Sequence, residues 1–378
     1  MTSDEPSGSK LLWIGPYAAH YMRVFHIQLE QRLENRISFF YLRTADNHQQ
    51  RSYEQGGLPH ASRVWDEESI SWRGLLREIT SINPAIICFN GLYPRHLLFV
   101  LLYCQLFRKK KIKLWYWVDH NLLSMLNESA WRIAARKVAH GTLLKRMDKL
   151  LYVGSRTRDF YAWLLGPRHI DPKCWWLPYP HLWSTPTAYP TANVRGRIRL
   201  LYVGRLAPEK GIDMLLRALS LLAPNIAASV ELTIAGDGPS RHELKQLWLT
   251  LSRGTNVTFL GSVSSDKIVD IYARHDVMVL PSHTEPWGLV VNEALSAGLP
   301  VVAPYWVGAV ADLVDNQVNG IVTESNSPAS LAEAITQLVS THGLLARLQE
   351  ACRNDPRVRR WSLDASVKQF MQLVAHEG

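Results

Sequence analysis

The feature that most constrains this chain is the regular alternation of apolar, β-rich runs with helical segments in its second half. The candidate strands of this half are RIRLLYVG, VELTIAG, NVTFLG, DVMVLP and LPVVAP. Apolar residues at helical spacing lie between them, in IDMLLRALSLL, SRHELKQLWLTLS, SDKIVDIYARH and WGLVVNEALSAG. Apolar strands that alternate with amphipathic helices predict a parallel sheet covered by helices on both faces.

The first half repeats this plan less regularly. Its candidate strands are KLLWIG, ISFFYL, PAIICFNG, KLWYWV and KLLYVG. A helix is predicted in HLLFVLLYCQLFRKKK and a loop over Thr44–Gly57. Residues 177–196 carry four prolines with little periodicity, which is typical of a linker. We therefore predict two doubly wound α/β domains, over residues 1–185 and 196–360, and a C-terminal helix over 361–378. Such domains place a ligand cleft between their strand ends.

Positive charge is concentrated in the first half. Residues 1–195 contain 26 Lys and Arg against 15 Asp and Glu, whereas residues 196–378 contain 16 against 18. Ten of the 14 tryptophans also precede residue 196, which suits a membrane interface, although nucleic acid would suit the charge as well. The polar N-terminus does not resemble a secretory signal, and the apolar runs are too short to span a membrane. The four cysteines show no metal spacing, so we expect a reduced, cytoplasmic protein.

The segment YVGRLAPEKGID, Tyr202–Asp213, has the composition of an anion site. A predicted strand ends at Gly204, a loop carries Arg205 and Lys210, and a helix follows. Two cations beside a helix N-terminus attract an anion, because free amides and the helix dipole add to their charge. The nearby IAGDGP is better explained as plain turn chemistry, and no G-x-G-x-x-G fingerprint follows any strand.

The segment HTEPWGLVVNEALSAG places two acids at the end of another predicted strand. Glu285 lies in the loop, and Glu293 lies in a helix expected to begin near Pro286. An ionised carboxylate accepts strong hydrogen bonds from hydroxyl groups, so this pair suits a hydroxyl-rich ligand. A capping acid followed by a solvated helix acid is the structural alternative.

Several motifs, taken in order, resemble the C-terminal domain of glycosyltransferase family 4. They are GRLAPEKG, AGDGP, FLG, PSHTEPWGLVVNEALSAGLPVVA and the pair Asn319–Gly320, and the resemblance covers about residues 197–325. The family consists of retaining enzymes of the GT-B fold that use nucleotide sugars. The resemblance thus implies an α/β protein with two Rossmann-like doubly wound domains that face each other across a cleft.

The resemblance also implies a role for each matching residue. Arg205 and Lys210 match positions that hold the donor diphosphate, and Glu285 matches the carboxylate that contacts hydroxyls of the transferred sugar. Glu293 matches the acid that binds the nucleotide ribose. The backbone amides of Gly288, Leu289 and Val290 would meet the sugar or phosphate. A UDP- or GDP-sugar is the expected co-substrate, with no other cofactor. We expect no metal, because two cations are present and a D-x-D pair is absent.

The acceptor side is predicted in the first half. The loop beginning at Gly15 matches the family's acceptor-side glycine loop, although the usual paired glycine is replaced, and Tyr17 and His20 would line the acceptor pocket. WYWVDHN places Asp119 and His120 at a strand end. Many relatives have a histidine there that faces the reacting sugar, which makes His120 the catalytic candidate and leaves Asp119 as the alternative.

These features predict a retaining glycosyltransferase acting on a lipid-linked sugar or a surface polysaccharide. The basic segments Phe107–Lys113 and Trp131–Lys149 would hold it to an anionic membrane, as a peripheral protein on the cytoplasmic face of the plasma membrane. The alternatives are a sugar-nucleotide epimerase of GT-B architecture and a basic nucleic-acid-binding protein. The chain has no recognisable nucleic-acid module, so no nucleic acid partner is expected.

Overall fold

The computed structural model describes most of the chain: residues 10–15, 20–34, 36–43, 58–66, 71–91, 95–106, 112–123, 129–170, 172–180, 196–251, 254–324 and 327–377. The chain divides into two compact units. The N-terminal unit contains Met1–His120, Asn127–Leu182 and Leu363–Gly378. The C-terminal unit contains Asn121–Leu126 and Trp183–Ser362.

The described part of the N-terminal unit forms a seven-stranded parallel sheet. Its strands are β1 (Leu11–Gly15), β2 (Ile37–Arg43), β3 (Ser62–Asp66), β4 (Ile86–Asn90), β5 (Lys113–Val118), β6 (Lys149–Tyr152) and β7 (Cys174–Trp176). The order is β3-β2-β1-β4-β5-β6-β7, so the chain reverses direction across the sheet between β1 and β4. The helices are α1 (His20–Arg32), α2 (Trp72–Ile82), α3 (Arg95–Leu106), α4 (Ala130–Leu144) and α5 (Ser155–Leu165).

The last helix of the chain, Leu363–Glu377, completes the core of the N-terminal unit. Its Phe370 ring lies 5.6 Å from Trp13 on β1 and 5.9 Å from Trp115 on β5, between ring centroids. All three residues are fully buried. At the end of the helix, Glu377 forms ion pairs with Lys113 at 2.9 Å and Lys149 at 3.1 Å. Apolar burial therefore joins this distant segment to the sheet. The last residue of the helix is held by Lys113 and Lys149, the first residues of β5 and β6.

The C-terminal unit has a second parallel sheet, with six strands in its described residues. They are β8 (Ile198–Val203), β9 (Val230–Ala235), β10 (Asn256–Gly261), β11 (Val277–Val279), β12 (Val301–Pro304) and β13 (Gly320–Thr323). The helices are α6 (Ile212–Leu221), α7 (Pro224–Ala228), α8 (Arg241–Leu251), α9 (Ser265–Ala273), α10 (Leu289–Ser296), α11 (Gly308–Leu313), α12 (Pro328–Ser340), α13 (Leu344–Asn354) and α14 (Arg357–Arg360); Leu363–Glu377 is α15.

The strand order of this second sheet is β10-β9-β8-β11-β12-β13. Because β8 pairs with both β9 and β11, the loops that follow β8 and β11 emerge side by side at the carboxyl edge. This is the topological switch point, where open α/β sheets bind their ligands. The loop after β9 supports it closely: a Cβ on Gly236 would lie 1.8 Å from the carbonyl oxygen of Gly204.

The predicted α/β class with two parallel sheets is confirmed, and the strands predicted in both halves are present within a few residues. Three edge strands, β3, β7 and β13, were not predicted, because they are short and contain at most two aliphatic residues each. The predicted start of a helix near Pro286 is wrong, since α10 begins at Leu289. Thr44–Gly57 and most of residues 177–196 lie outside the described residues.

Candidate active site

The loop after β8 ends in a short turn that positions Lys210. Pro208–Lys210 form a single 3₁₀ turn, and Gly211 follows with φ of 62° as the N-terminal cap of α6. This left-handed conformation favours glycine, which has no Cβ to clash. Lys210 consequently lies immediately before the positive end of a helix dipole, as the sequence predicted for the anion site.

The loop after β11 carries Glu285 and ends at Gly288. Gly288 caps α10 with φ of 90° and ψ of 65°, so it also needs the freedom of glycine. A Cβ there would lie 3.1 Å from both Glu285 Cγ and Val307 Cγ1. The loop therefore continues two residues beyond the helix start expected from Pro286, and the first amides of α10 belong to Leu289 and Val290.

Lys210 and Glu285 meet across the switch point. The Lys210 Nζ atom lies 2.7 Å from Glu285 Oε2, and the side chains are 21% and 12% exposed. Ser282 Oγ donates a second hydrogen bond to the same oxygen, at 3.2 Å. Among the described residues, Glu285 Oε1 has no hydrogen-bond partner, which leaves it available to a ligand hydroxyl.

Backbone hydrogen bonds hold the two loops together. The amides of His283 and Thr284 donate to the carbonyl oxygen of Glu209, at 2.9 Å and 3.3 Å. Arg205, on the same loop as Glu209, forms an ion pair with the Glu209 carboxylate, and its side chain is 36% exposed. The structure thus brings Lys210 and Glu285 into contact and leaves Arg205 nearer the surface.

Glu293 has a different partner. It is the fifth residue of α10, so it lies just over one turn into the helix, not the two turns expected from the sequence. The hydroxyl of Tyr272 on α9 donates to Glu293 Oε2 at 2.7 Å, and Tyr272 is fully buried. The two acids therefore have donors on different elements of the C-terminal unit.

A third loop, after β12, packs against the Glu285 loop. Ala309 donates its amide to the carbonyl of Trp287 at 2.8 Å, and Trp306 Nε1 donates to the carbonyl of Ser282 at 3.0 Å. A Cβ on Gly308 would lie 1.9 Å from the carbonyl oxygen of Pro286. This close approach fixes the path of the chain immediately after Glu285.

The acceptor-side candidates lie in the N-terminal unit. Gly15 is buried at the end of β1, where a Cβ would lie 3.3 Å from Asn90 Cβ at the end of β4. These two residues mark the switch point of this sheet. Tyr17 lies outside the described residues, and so does the side chain of His20, the first residue of α1.

Asp119 and His120 follow β5, as predicted. The His120 ring packs edge-on against Phe160, with centroids 5.5 Å apart. His120 stays accessible to solvent, but the protein around the ring lowers its pKa below the usual histidine value; Asp119 opposes the shift and Arg136 adds to it. The ring is therefore neutral at neutral pH. Burial also lowers the pKa of His140, and His120 and Arg136 add to that shift, so the three side chains form one electrostatic cluster.

Membrane-spanning helices and metal-ligand clusters are both absent from the described residues. No helix there is long and apolar enough to span a bilayer. No group of three or more His, Cys, Asp or Glu side chains there has the arrangement of a metal site.

Sequence reasoning missed Ser282 and Tyr272, the hydrogen-bond donors to the two acids. Ser282 directly follows the predicted strand DVMVLP and could have been noticed as a strand-end hydroxyl. Tyr272 lies on a helix that ends before β11, and no local signal relates it to Glu293.

Part of the chain that contains this site is similar to known glycosyltransferases. Residues 190–355 match the family model described as Glycosyl transferases group 1. The chain is 36% identical over 174 residues to an uncharacterized glycosyltransferase of Methanocaldococcus jannaschii, a match covering 46% of this chain and 44% of that protein. It is 35% identical over 154 residues to a D-inositol 3-phosphate glycosyltransferase of Rhodococcus jostii. This match covers 39% of this chain and 34% of that protein. The aligned segments thus span less than half the length of these relatives.

Similarity to solved structures extends over nearly the whole chain. A crystal structure of Anabaena HepE in complex with UDP and glucose aligns with a TM-score of 0.74, at 18% sequence identity, and covers 97% of this chain and 99% of that one. The two parallel α/β sheets described above are thus those of the GT-B glycosyltransferase fold.

Proposed function

We propose that the protein is a retaining glycosyltransferase that takes its sugar from a nucleotide-sugar donor, because residues 190–355 match the family model of Glycosyl transferases group 1. The similarity of the fold to that of HepE, which binds UDP and glucose, makes a UDP-sugar the first donor to test. A GDP-sugar is the second.

The contact between Lys210 and Glu285 carries this proposal. When a glycosidic bond to a nucleoside diphosphate breaks, negative charge grows on the leaving phosphate. An ammonium group and the N-terminus of α6 stabilise such charge. The adjacent Glu285 carboxylate keeps Lys210 in place, and its second oxygen accepts a hydroxyl hydrogen bond from the sugar. One ion pair thus joins recognition of the sugar to recognition of the leaving group.

The other donor-site residues receive roles in the same scheme. Arg205 adds charge at the diphosphate, the amides of Gly288, Leu289 and Val290 meet the sugar or phosphate, and Glu293 binds the ribose hydroxyls. The bond between Tyr272 and Glu293 supports this last role, because it orients a carboxylate without neutralising it. With two cations at the phosphates, we propose that transfer needs no metal ion.

On the acceptor side, we propose that Gly15, Tyr17 and His20 line the acceptor pocket and that His120 contacts the reacting sugar, with Asp119 as the alternative. A neutral His120 suits this position, because an uncharged ring can donate or accept a hydrogen bond with the sugar without forming an ion pair with the diphosphate of the nucleotide sugar.

We propose a lipid-linked sugar or a surface polysaccharide as the acceptor, reached at the cytoplasmic face of the membrane. Helix α4 and the turn that follows it support this proposal. Together, residues 130–147 contain five Lys and Arg and no Asp or Glu. Trp131 is 68% exposed and Val138 is 71% exposed on the same helix. Exposed cations beside an exposed tryptophan are complementary to an anionic lipid surface. The other basic segment, including Lys109, Lys110 and Lys111, lies outside the described residues.

The experiment that tests the proposed function is thermal unfolding with a panel of nucleotide sugars. A donor present at 100 times its Kd stabilises the folded protein by ~2.7 kcal/mol. We expect one base and one sugar to stabilise it most, and the same compound to lose its sugar when a lipid-linked acceptor is added. Conversion of the nucleotide sugar to an isomer without any acceptor would identify an epimerase. No stabilisation by any donor, with salt-dependent DNA binding, would contradict the proposal.

A further inference from the structure

Asn121 makes an unusual set of contacts for a residue that follows a strand. It belongs to the short segment of the C-terminal unit that contains residues 121–126, and it is fully buried. Its Nδ2 atom lies 3.0 Å from the carbonyl oxygen of Pro286 and 3.3 Å from that of Glu285. A third carbonyl, of Trp306, lies at 3.4 Å. One buried amide thus lies within hydrogen-bond distance of main-chain carbonyls in two loops, the Glu285 loop and the loop after β12.

These contacts add to three other hydrogen bonds between the two loops, which the amides of Gly308 and Ala309 and the Trp306 Nε1 atom donate. The carbonyl of Glu285 also accepts the amide of Gly308, but at 3.3 Å. The Asn121 amide has two hydrogens shared among three carbonyls, all at the point where the chain passes Glu285. Buried carbonyls that lose their donor carry a desolvation cost, so the loops have reason to move if the amide is removed.

We infer that Asn121 is a positioning residue, which holds the main chain of Glu285 so that the carboxylate stays against Lys210. The catalytic consequence rests on the proposed glycosyltransferase function, whereas the positioning itself does not. Asn121 acts through Glu285, and no contact with the sugar is needed. Its partners are main-chain carbonyls, so the requirement is for an N–H donor of this length.

The substitution that isolates the donor is Asn121→Asp, because the side chain keeps its size while its NH₂ group becomes one oxygen that faces the carbonyl oxygens. Asn121→Ala removes the amide without adding repulsion and replaces the first variant if that one does not fold. The matched control is Asn319→Ala. Asn319 is also buried, and its Nδ2 donates to the carbonyl of Leu313, the last residue of α11, at 2.8 Å and to Asp355, which follows α13, at 3.0 Å.

Amide hydrogen exchange tests the positioning directly. In Asn121→Asp we expect the amides of residues 283–288 and 306–309 to exchange about tenfold faster, the effect of losing one hydrogen bond. The Asn319→Ala control should leave these two segments unchanged while it speeds exchange near residues 313–320. Exchange of the two loops at the wild-type rate in both Asn121 variants would overturn the inference.

Transfer kinetics then test the catalytic consequence. We expect Asn121→Ala to lower kcat at least tenfold while the Kd of the free nucleoside diphosphate stays unchanged. In a double-mutant cycle, adding Asn121→Ala to Glu285→Gln should cause little further loss, because both act through one carboxylate. Full additivity would overturn the role through Glu285. If the wild-type protein transfers no sugar, the proposed function fails, and the exchange rates still decide whether Asn121 positions the loop.

Discussion

Lys210 Nζ lies 2.7 Å from Glu285 Oε2, although the two residues are 75 positions apart in the chain. The contact exists because β11 pairs with β8, so the loops that follow these two strands emerge together. Only 21% of the lysine side chain and 12% of the glutamate side chain are exposed, so water screens the pair weakly. We propose that these two side chains act on one bound donor.

Glu293→Gln is expected to raise the KM for the donor and to leave kcat near the wild-type value. Its proposed partner is the ribose, which does not change charge during transfer, so the loss affects the ground state and the transition state equally. Tyr272→Phe should have the same effect to a smaller degree, because it removes the hydroxyl that orients the Glu293 carboxylate. Initial rates over a range of donor concentrations measure both values. A large fall in kcat at unchanged KM would exclude the ribose role.

Chelation of metal ions is expected to leave the transfer rate unchanged. In the proposed site, the charges of Lys210 and Arg205 take the place of the divalent ion that other transferases use. The rate measured in excess EDTA should equal the rate with added magnesium or manganese. A rate that falls in EDTA and recovers when either ion is restored would refute a metal-independent site.

Acid is expected to destabilise the N-terminal unit through His26. The ring is fully buried against Phe39, with Nδ1 2.7 Å from the Tyr41 hydroxyl, and burial lowers its pKa to about 3. Because the unfolded chain binds a proton at the ordinary pKa of 6.5, this stability is present above pH 6.5 and is lost as the pH falls.

Urea unfolding at pH 7.5 and pH 5 measures this effect. From the lowered pKa of His26, the wild type should lose about 2 kcal/mol more than a His26→Asn variant over this interval. Other titrating groups contribute equally to both proteins and cancel in the comparison. Equal losses in the two proteins would show that His26 does not remain neutral in the folded state.

Binding to anionic vesicles is expected to depend on α4. Arg132 and Lys145 are exposed on and just after this helix, and each cation near an anionic surface contributes ~1 kcal/mol. Replacing both with Ser should weaken sedimentation with phosphatidylserine vesicles about 30-fold, and salt should weaken it further. Arg217→Ser with Arg347→Ser, on exposed positions of α6 and α13, is the matched control. A wild-type protein that ignores these vesicles at low salt would point to a soluble acceptor.

The sequence was sufficient to predict which residues lie at strand ends, because apolar runs and the helices between them mark each loop. Arg205, Lys210 and Glu285 were placed correctly for this reason. Their contacts were not predictable in the same way, since contact between Lys210 and Glu285 depends on strand order, which is set by packing across the whole sheet.

Two other failures have local causes. The start of α10 was misplaced because Pro286 is a common first helical residue, whereas the left-handed backbone of Gly288 delays the helix. The contacts of Asn121 could not be predicted from the sequence, because its partners are main-chain carbonyls more than 160 positions away. Every residue type has such a carbonyl, so no sequence pattern marks these partners.

The joint action of Lys210 and Glu285 on one donor is tested by the transfer rates of Lys210→Met and Glu285→Gln. Glu333→Gln, on an exposed position of α12, is the control for a lost surface carboxylate. Release of the nucleoside diphosphate reports transfer, and thermal unfolding shows that each variant is folded. Each of the two variants is expected to transfer sugar roughly 100–1,000-fold more slowly than the wild type, while the control transfers it at the wild-type rate. Near-normal turnover in both variants would contradict this joint action.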